Sequence, residues 1–374
     1  MSAIYDNWER LVAAVLRREQ LWQICHDHSR TPSLRSSVSS DFSSSFSLAS
    51  PLSSGFFYRE DGTFMFDMYR PLQISANIKA SVRKEMAKEE SGQLVIFKGS
   101  PFAFGLDELL IAPSVALGDT IDSFGNAYLV RLREDFVFVV KRISRENWAH
   151  DMFEKKIKLC AGIEHENIVK MMGYYINEDE CLEILEYFPQ GSLETMLHGK
   201  NRVHLDWGTR LRIAIGAAKG LAHIHGQRIG KVVHGNIKAS NIFLDSEQYG
   251  CISDISVVTF TFSKYCAPET SAKEEMITQA SDVYSFGVLL IELLTGRSPL
   301  RFIGRPLTFA DWALYNARDG WTSLAFDKKL LKNPVVKQGM WEMLAVALSC
   351  VENKPEDRPT MEQVVDMLDK NECK

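Results

Sequence analysis

The chain has 374 residues, 43 Lys and Arg against 48 Asp and Glu, a net charge of -5 and 45% apolar residues, which is the profile of a globular protein and excludes a disordered tail or fibre. This length suits two domains, or one large two-lobed domain with an appendage, and the near-neutral charge gives no overall field to hold a polyanion, so nucleic acid is not an expected partner. Seven cysteines without a Cys-x-x-Cys pair argue against a disulfide framework or zinc site and for a reducing compartment, and the lack of a long apolar run or signal pattern points to a cytoplasmic location.

The first predicted element, within residues 1 to 28, is an amphipathic helix from Asp6 to Ile24, on which Trp8, Leu11, Val12, Val15 and Trp22 recur at helical intervals. Arg10, Arg17 and Arg18 suit an anionic membrane surface, while Glu9 and Glu19 dilute that charge and favour docking on protein. Any membrane association is therefore expected to be peripheral. The neighbouring Cys25, His26 and His28 lack the fourth ligand of a closed tetrahedral metal site.

Residues 29 to 55 read as a flexible, phosphorylatable linker, because 13 of the 26 residues from Ser29 to Ser54 are Ser and such a segment buries too little apolar surface to offset its ordering entropy. Residues 56 to 91 carry no clear pattern. Strand-like runs follow at Leu94 to Phe97 and Phe136 to Val140, then a helical stretch near Trp148 to Cys160. Downstream of about Gly191 the pattern is mostly helical, with period-3.6 apolar spacing from Trp207 to His225 and a strongly apolar helix from Ser285 to Leu294. The expected fold class is α+β, with a strand-rich half at about 92 to 188 and a helical half at about 189 to 371 around a cleft.

Motifs cluster at the join. The run Val233-His234-Gly235-Asn236-Ile237-Lys238-Ala239-Ser240-Asn241 resembles the catalytic loop of protein kinases, H-R-D-x-K-x-x-N. Ser253-Asp254-Ile255-Ser256 stands where that family has D-F-G, Ala267-Pro268-Glu269 matches A-P-E, and Ser281-Asp282-Val283-Tyr284-Ser285-Phe286-Gly287 and Arg358-Pro359 follow in order. Finer wording, such as Leu205-Asp206-Trp207 and Tyr187-Phe188-Pro189-Gln190-Gly191-Ser192-Leu193, is similar to plant receptor-like kinases of the leucine-rich-repeat class. The resemblance implies a bilobal kinase fold over residues 92 to 371, with Glu269 paired to Arg358 and Asp282 holding the catalytic-loop backbone. It also implies an active receptor-like kinase or receptor complex as the partner.

Phosphoryl transfer rests on positioning and electrostatics, so each charged part of that machinery is checked separately. The proton-accepting Asp of the catalytic loop is Asn236, whose amide has no basic site, and general base catalysis commonly contributes ~10² to 10⁴ in rate. Lys141 is kept, but Lys156 falls where its Glu partner belongs; two ammonium groups at ~4 Å repel by about 4 kcal/mol at an effective dielectric near 20. A local register shift would let Glu154 take over. Of the glycine-rich loop in Thr120 to Gly125 only Gly125 survives, Asp122 brings a carboxylate towards ATP, and Gly118 joins only by lengthening the loop.

Val139 replaces the small Ala that contacts adenine, an overpacking that commonly costs ~1 to 3 kcal/mol. Only ten residues separate Ser256 from Ala267, which shortens the peptide-substrate platform. Against these losses, Asn241 and Asp254 remain as magnesium ligands and Lys238 as the loop's phosphate-neutralising Lys.

The expected function is that of a catalytically impaired kinase homologue that works by binding, with no required cofactor and at most weak ATP with magnesium or manganese. Two other readings stay open: a weak serine/threonine kinase using Lys238 and Asp254, and an adaptor held at a membrane surface by its N-terminal helix.

Overall fold

In the computed structural model the described residues are 56–58, 64–66 and most of 92–372, excluding connecting segments at 98–99, 101–103, 118–126, 133–135, 145–149, 177–179, 201, 229–230, 256–263, 272–276, 303–307, 319–325 and 333. The expected N-terminal helix, the Cys25, His26 and His28 cluster and the Ser-rich segment lie outside the described residues. Within 56–91 two short strands, β1 (Phe56–Tyr58) and β2 (Phe64–Phe66), pair antiparallel.

A six-stranded antiparallel sheet forms the first half of the remaining fold, in the order β3-β7-β8-β6-β5-β4. Its strands are β3 (Gln93–Ile96), β4 (Ser114–Ala116), β5 (Ala127–Leu132), β6 (Phe136–Ser144), β7 (Met171–Ile176) and β8 (Glu180–Glu186). Alternation along β6 sorts its side chains between two faces. Phe136, Phe138 and Val140 join Phe104, Leu109 and Ala112 in one core, which places helix α1 (Leu106–Ile111) over that face. On the other face Ile143 packs with Ile157 of α2 (His150–Ala161), and Val139 joins a cluster that reaches Cys251. The site therefore belongs to the second face.

The second half is helical, with α3 (Leu193–His198), α4 (Trp207–His225), α5 (Gln279–Thr295), α6 (Phe309–Arg318), α7 (Pro334–Cys350) and α8 (Met361–Glu372). Short strands β9 (Ile242–Leu244) and β10 (Gly250–Ile252) pair antiparallel beside α4. The bounds of α4 match the sequence expectation because Asp206 caps it: its Oδ1 accepts from Thr209 N at 2.8 Å. Those hydrogen bonds hold the Asp206 carboxyl below the usual carboxylate range. Helix α5 starts six residues earlier than its apolar run, since Thr278 and Ser281 form a capping box before that run begins. It is buried on nearly every side, as a helix through the middle of a core must be.

The loop 162–169, between α2 and β7, packs against the second half. Val169 N donates to Ile252 O at 2.8 Å and Ile252 N to Asn167 O at 2.9 Å, which ties the loop to β10. Helix α4 comes close from the other side: a Cβ at Gly216 would meet the Gly250 backbone at 2.5 Å, so that crossing requires glycine.

Candidate functional site: the cleft and its catalytic loop

The catalytic-loop segment is positioned from below by α5. Asp282 accepts from His234 N at 2.8 Å, from Gly235 N at 2.7 Å and pairs with His225 Nε2 at 2.9 Å. A carboxylate facing three donors is a strong, directional anchor. Gly235 has φ +75°, a left-handed conformation that glycine adopts without steric cost.

His234 is fully buried, and its tautomer follows from its partners. Its Nδ1 accepts from Asn236 N at 3.1 Å, so the ring hydrogen sits on Nε2, which donates to Ser253 O at 2.8 Å. His234 thus links the loop to the D-F-G-like segment as a structural side chain.

Asn236 occupies the base position and its carbonyl accepts from Asn241 Nδ2 at 2.9 Å. Asn241 in turn offers its carbonyl to Ser253 N at 2.9 Å, and it is buried together with Lys238. The structure therefore brings Asn236, Lys238, Asn241 and Asp254 into one neighbourhood, as the motif spacing requires. Gly118, Asp122 and Gly125 lie outside the described residues, as do the side chains of Glu154 and Lys156.

Lys141, on β6, reaches Asp254: Nζ to Oδ2 is 2.6 Å, with both side chains about nine-tenths buried. Burial pushes the Asp254 carboxyl up, but the Lys141 ammonium beside it, with Lys238 beyond, outweighs this and holds it below the usual carboxylate range. Asp254 itself sits at φ +69°, a region that Asp tolerates better than most residues.

The adenine side of the cleft is apolar and aromatic. Val139 and Met171 pack with Phe188 and Phe243, whose rings lie 5.6 Å apart. Motif reading found Val139 but not the aromatic pair, because Phe188 and Phe243 sit far apart in sequence. A cavity of about 440 Å³ opens behind this wall, lined by Cys160, Ile163, Met171, Glu183, Leu185 and Asp254 among others. Among the described residues no three His, Cys, Asp or Glu side chains converge to hold a metal ion.

Two further anchors hold the lower half. Arg358 forms a bidentate pair with Glu269, at 2.5 Å (Nη1 to Oε1) and 2.8 Å (Nη2 to Oε2), and donates to the Ala280, Glu352 and Asn353 carbonyls. Tyr265 donates its hydroxyl to buried Glu292, which also meets His198 Nε2 at 2.7 Å. Burial, with these partners lowering it less, leaves the Glu292 carboxyl raised. The first anchor was expected from the sequence; the second was not, since it joins residues from three separate segments.

Comparisons with known proteins agree with this geometry. The family described as protein tyrosine and serine/threonine kinase matches residues 121–368. A "probable inactive receptor kinase" of Arabidopsis thaliana is 39% identical over 75% of this chain and 46% of its own length. An inactive leucine-rich repeat receptor-like serine/threonine-protein kinase of the same plant is 37% identical over 76% of this chain and 48% of its own. The chain thus spans about half the length of these two relatives. Among solved structures, the pseudokinase domain of BIR2, an immune regulator of the RLK/Pelle family, superposes with a TM-score of 0.64 at 25% identity, covering 77% of this chain and 92% of that one. No described helix is long and apolar enough to cross a membrane. With its loop, its anchors and these relatives in agreement, the chain belongs to the protein kinase family, among the receptor-like kinases whose relatives are named inactive.

Proposed function

We propose that this protein is a pseudokinase that regulates receptor-kinase signalling by binding, and that its protein partner is an active receptor-like kinase or receptor complex at the cytoplasmic side of a membrane. The observation that carries the reading is the combination of an amide at Asn236 with a Lys141–Asp254 ion pair of 2.6 Å. The chain keeps the anchors that shape the fold and lacks the group that would accept the substrate proton.

One of the two magnesium-ligand candidates is otherwise engaged. Asp254 gives Oδ2 to Lys141, whereas Asn241 spends only its amide nitrogen on the Asn236 carbonyl and keeps its amide oxygen, the atom a magnesium ion would take. Val139 backed by Phe188 and Phe243 narrows the adenine slot. No nucleotide is required for the binding role, and residues 29 to 55, half of them Ser in the stretch to Ser54, offer a phosphorylation-controlled element in which each phosphate adds about -1.5 to -2 charge. The description of BIR2 as an immune regulator supports the same kind of role.

Incubating the purified protein with a generic substrate and Mg-ATP or Mn-ATP tests the reading. Phosphate incorporation is expected to equal that of an Asn236→Ala control. Incorporation clearly above the control would instead favour a weak serine/threonine kinase, a reading supported by the retained Lys238, Asn241 and Asp254, and Asp254→Ala should then abolish it.

A further inference from the structure

Two short turns grip the strand that leads to Asp254. His165-Glu166-Asn167-Ile168 and His234-Gly235-Asn236-Ile237 share the pattern His-x-Asn-Ile, and in both the histidine Nδ1 accepts from the backbone N–H of the Asn two residues on, at 3.0 Å and 3.1 Å. Each turn then holds one of two consecutive residues. Asn167 O accepts from Ile252 N at 2.9 Å, and His234 Nε2 donates to Ser253 O at 2.8 Å. The first turn is also seated on α4. A Cβ at Gly220 would run into Asn167 O, and the ring of His223, three residues further along that face of the helix, lies 4.8 Å from the ring of His165.

The two histidines differ in their access to water: His234 is fully buried, whereas His165 is partly exposed. Because Nδ1 of His165 is an acceptor, its ring hydrogen sits on Nε2, and a proton taken from solvent has only Nδ1 to occupy. There it would face the Asn167 N–H, donor against donor. The surroundings resist that proton at neutral pH: burial, then His223 and Lys219 on α4, lower the His165 pKa, with Glu166 opposing. Lys219 is itself paired with Asp369 of α8 at 3.3 Å, and Glu164, Lys170, Glu183, Glu186 and Asp254 line the same cavity as His165.

We propose that His165 is a proton-operated latch on the segment before Asp254: a proton entering Nδ1 expels the Asn167 amide and loosens the hold of the α2–β7 loop on β10, while the buried His234 turn keeps its own grip on Ser253. The proton comes from solvent, the hydrogen bond from Asn167 N to Nδ1 breaks, and the freed amide passes to water. Strand β10 runs directly into Ser253 and Asp254, the partner of Lys141, so acidity sensed at the loop bears on the cleft from outside it. The latch does not depend on whether the protein transfers phosphate, and so it stands apart from the pseudokinase reading.

Nitrogen-15 NMR of the full-length protein tests it. At pH 7.5 the His165 ring should show the Nε2–H tautomer, and on acidification it should titrate below the ordinary value of 6.5 and shift the Asn167 amide resonance with the same midpoint. An Nδ1–H tautomer, or an Asn167 amide that does not follow the ring, would overturn the proposal. Hydrogen exchange, corrected for its intrinsic dependence on pH, gives a second readout: between pH 7.5 and 5.5 the Asn167 and Ile252 amides should lose protection while those in the middle of α4 keep theirs. In His165→Asn, whose side-chain oxygen accepts from the amide two residues on without titrating, that loss should be absent. Equal loss in both proteins would contradict the latch, and if the variant does not fold the wild-type titration decides.

Discussion

At the scale of single residues, the cleft combines one lost function with several retained contacts. Asn236 keeps the backbone role of its position, since its carbonyl still receives the Asn241 amide, but its side chain has no basic site. Restoring the carboxylate alone should therefore not restore chemistry. Phosphate incorporation by Asn236→Asp is expected to stay at the wild-type level, because Asp254 remains paired with Lys141; incorporation rising well above it would mean that the base was the only missing part. The residues of the loop were legible in the sequence because their spacing is local: His234, Asn236, Lys238 and Asn241 fall within one short run. The pairing of Lys141 with Asp254 was not, because 113 positions separate the two residues.

At the scale of elements, the contacts between segments decide how firmly the loop is held. Asp282 delivers one carboxylate from α5 to two backbone donors and His225, and charge-assisted hydrogen bonds of this kind are each worth about 1.5 to 3 kcal/mol. Asp282→Asn, which loses the charge and exchanges an acceptor for a donor, should destabilise the protein by about 2 kcal/mol or more in chemical unfolding. A loss below the error of that measurement would show that the loop is held by other means.

The loop between α2 and β7 carries a pH dependence as well. The His165 and His223 rings lie 4.8 Å apart, and His165 Nδ1 accepts from Asn167 N at 3.0 Å. Burial, then His223 and Lys219, lower the His165 pKa, with Glu166 opposing. A base whose folded pKa is lowered contributes stability above its unfolded pKa, near 6.5, and loses it as pH falls through the folded value. The wild-type protein should therefore lose more stability between pH 7.5 and 5.5 than His165→Asn does, as read by unfolding at the two pH values; equal losses would contradict this. Helix α4 was legible end to end because its cap and its period agree, whereas the start of α5 lies in a polar capping turn that an apolar pattern does not mark.

At the scale of the whole molecule, strand-like runs followed by helical periodicity gave the order of the two halves, and the motif order gave the kinase scaffold. The order β3-β7-β8-β6-β5-β4 was not readable, because pairing across the sheet depends on long-range register that local spacing does not encode. The same limit hid Tyr265, Glu292 and His198, which meet only once α3 and α5 pack together. What results is a molecule with its kinase anchors intact and its strand lysine, Lys141, paired to Asp254. Thermal unfolding with and without millimolar ATP and magnesium or manganese tests this most directly, since a ligand at 100 times its dissociation constant adds roughly 2.7 kcal/mol to the folded state. An unchanged midpoint is expected, and a clear metal-dependent rise with ATP would contradict a cleft that needs no nucleotide.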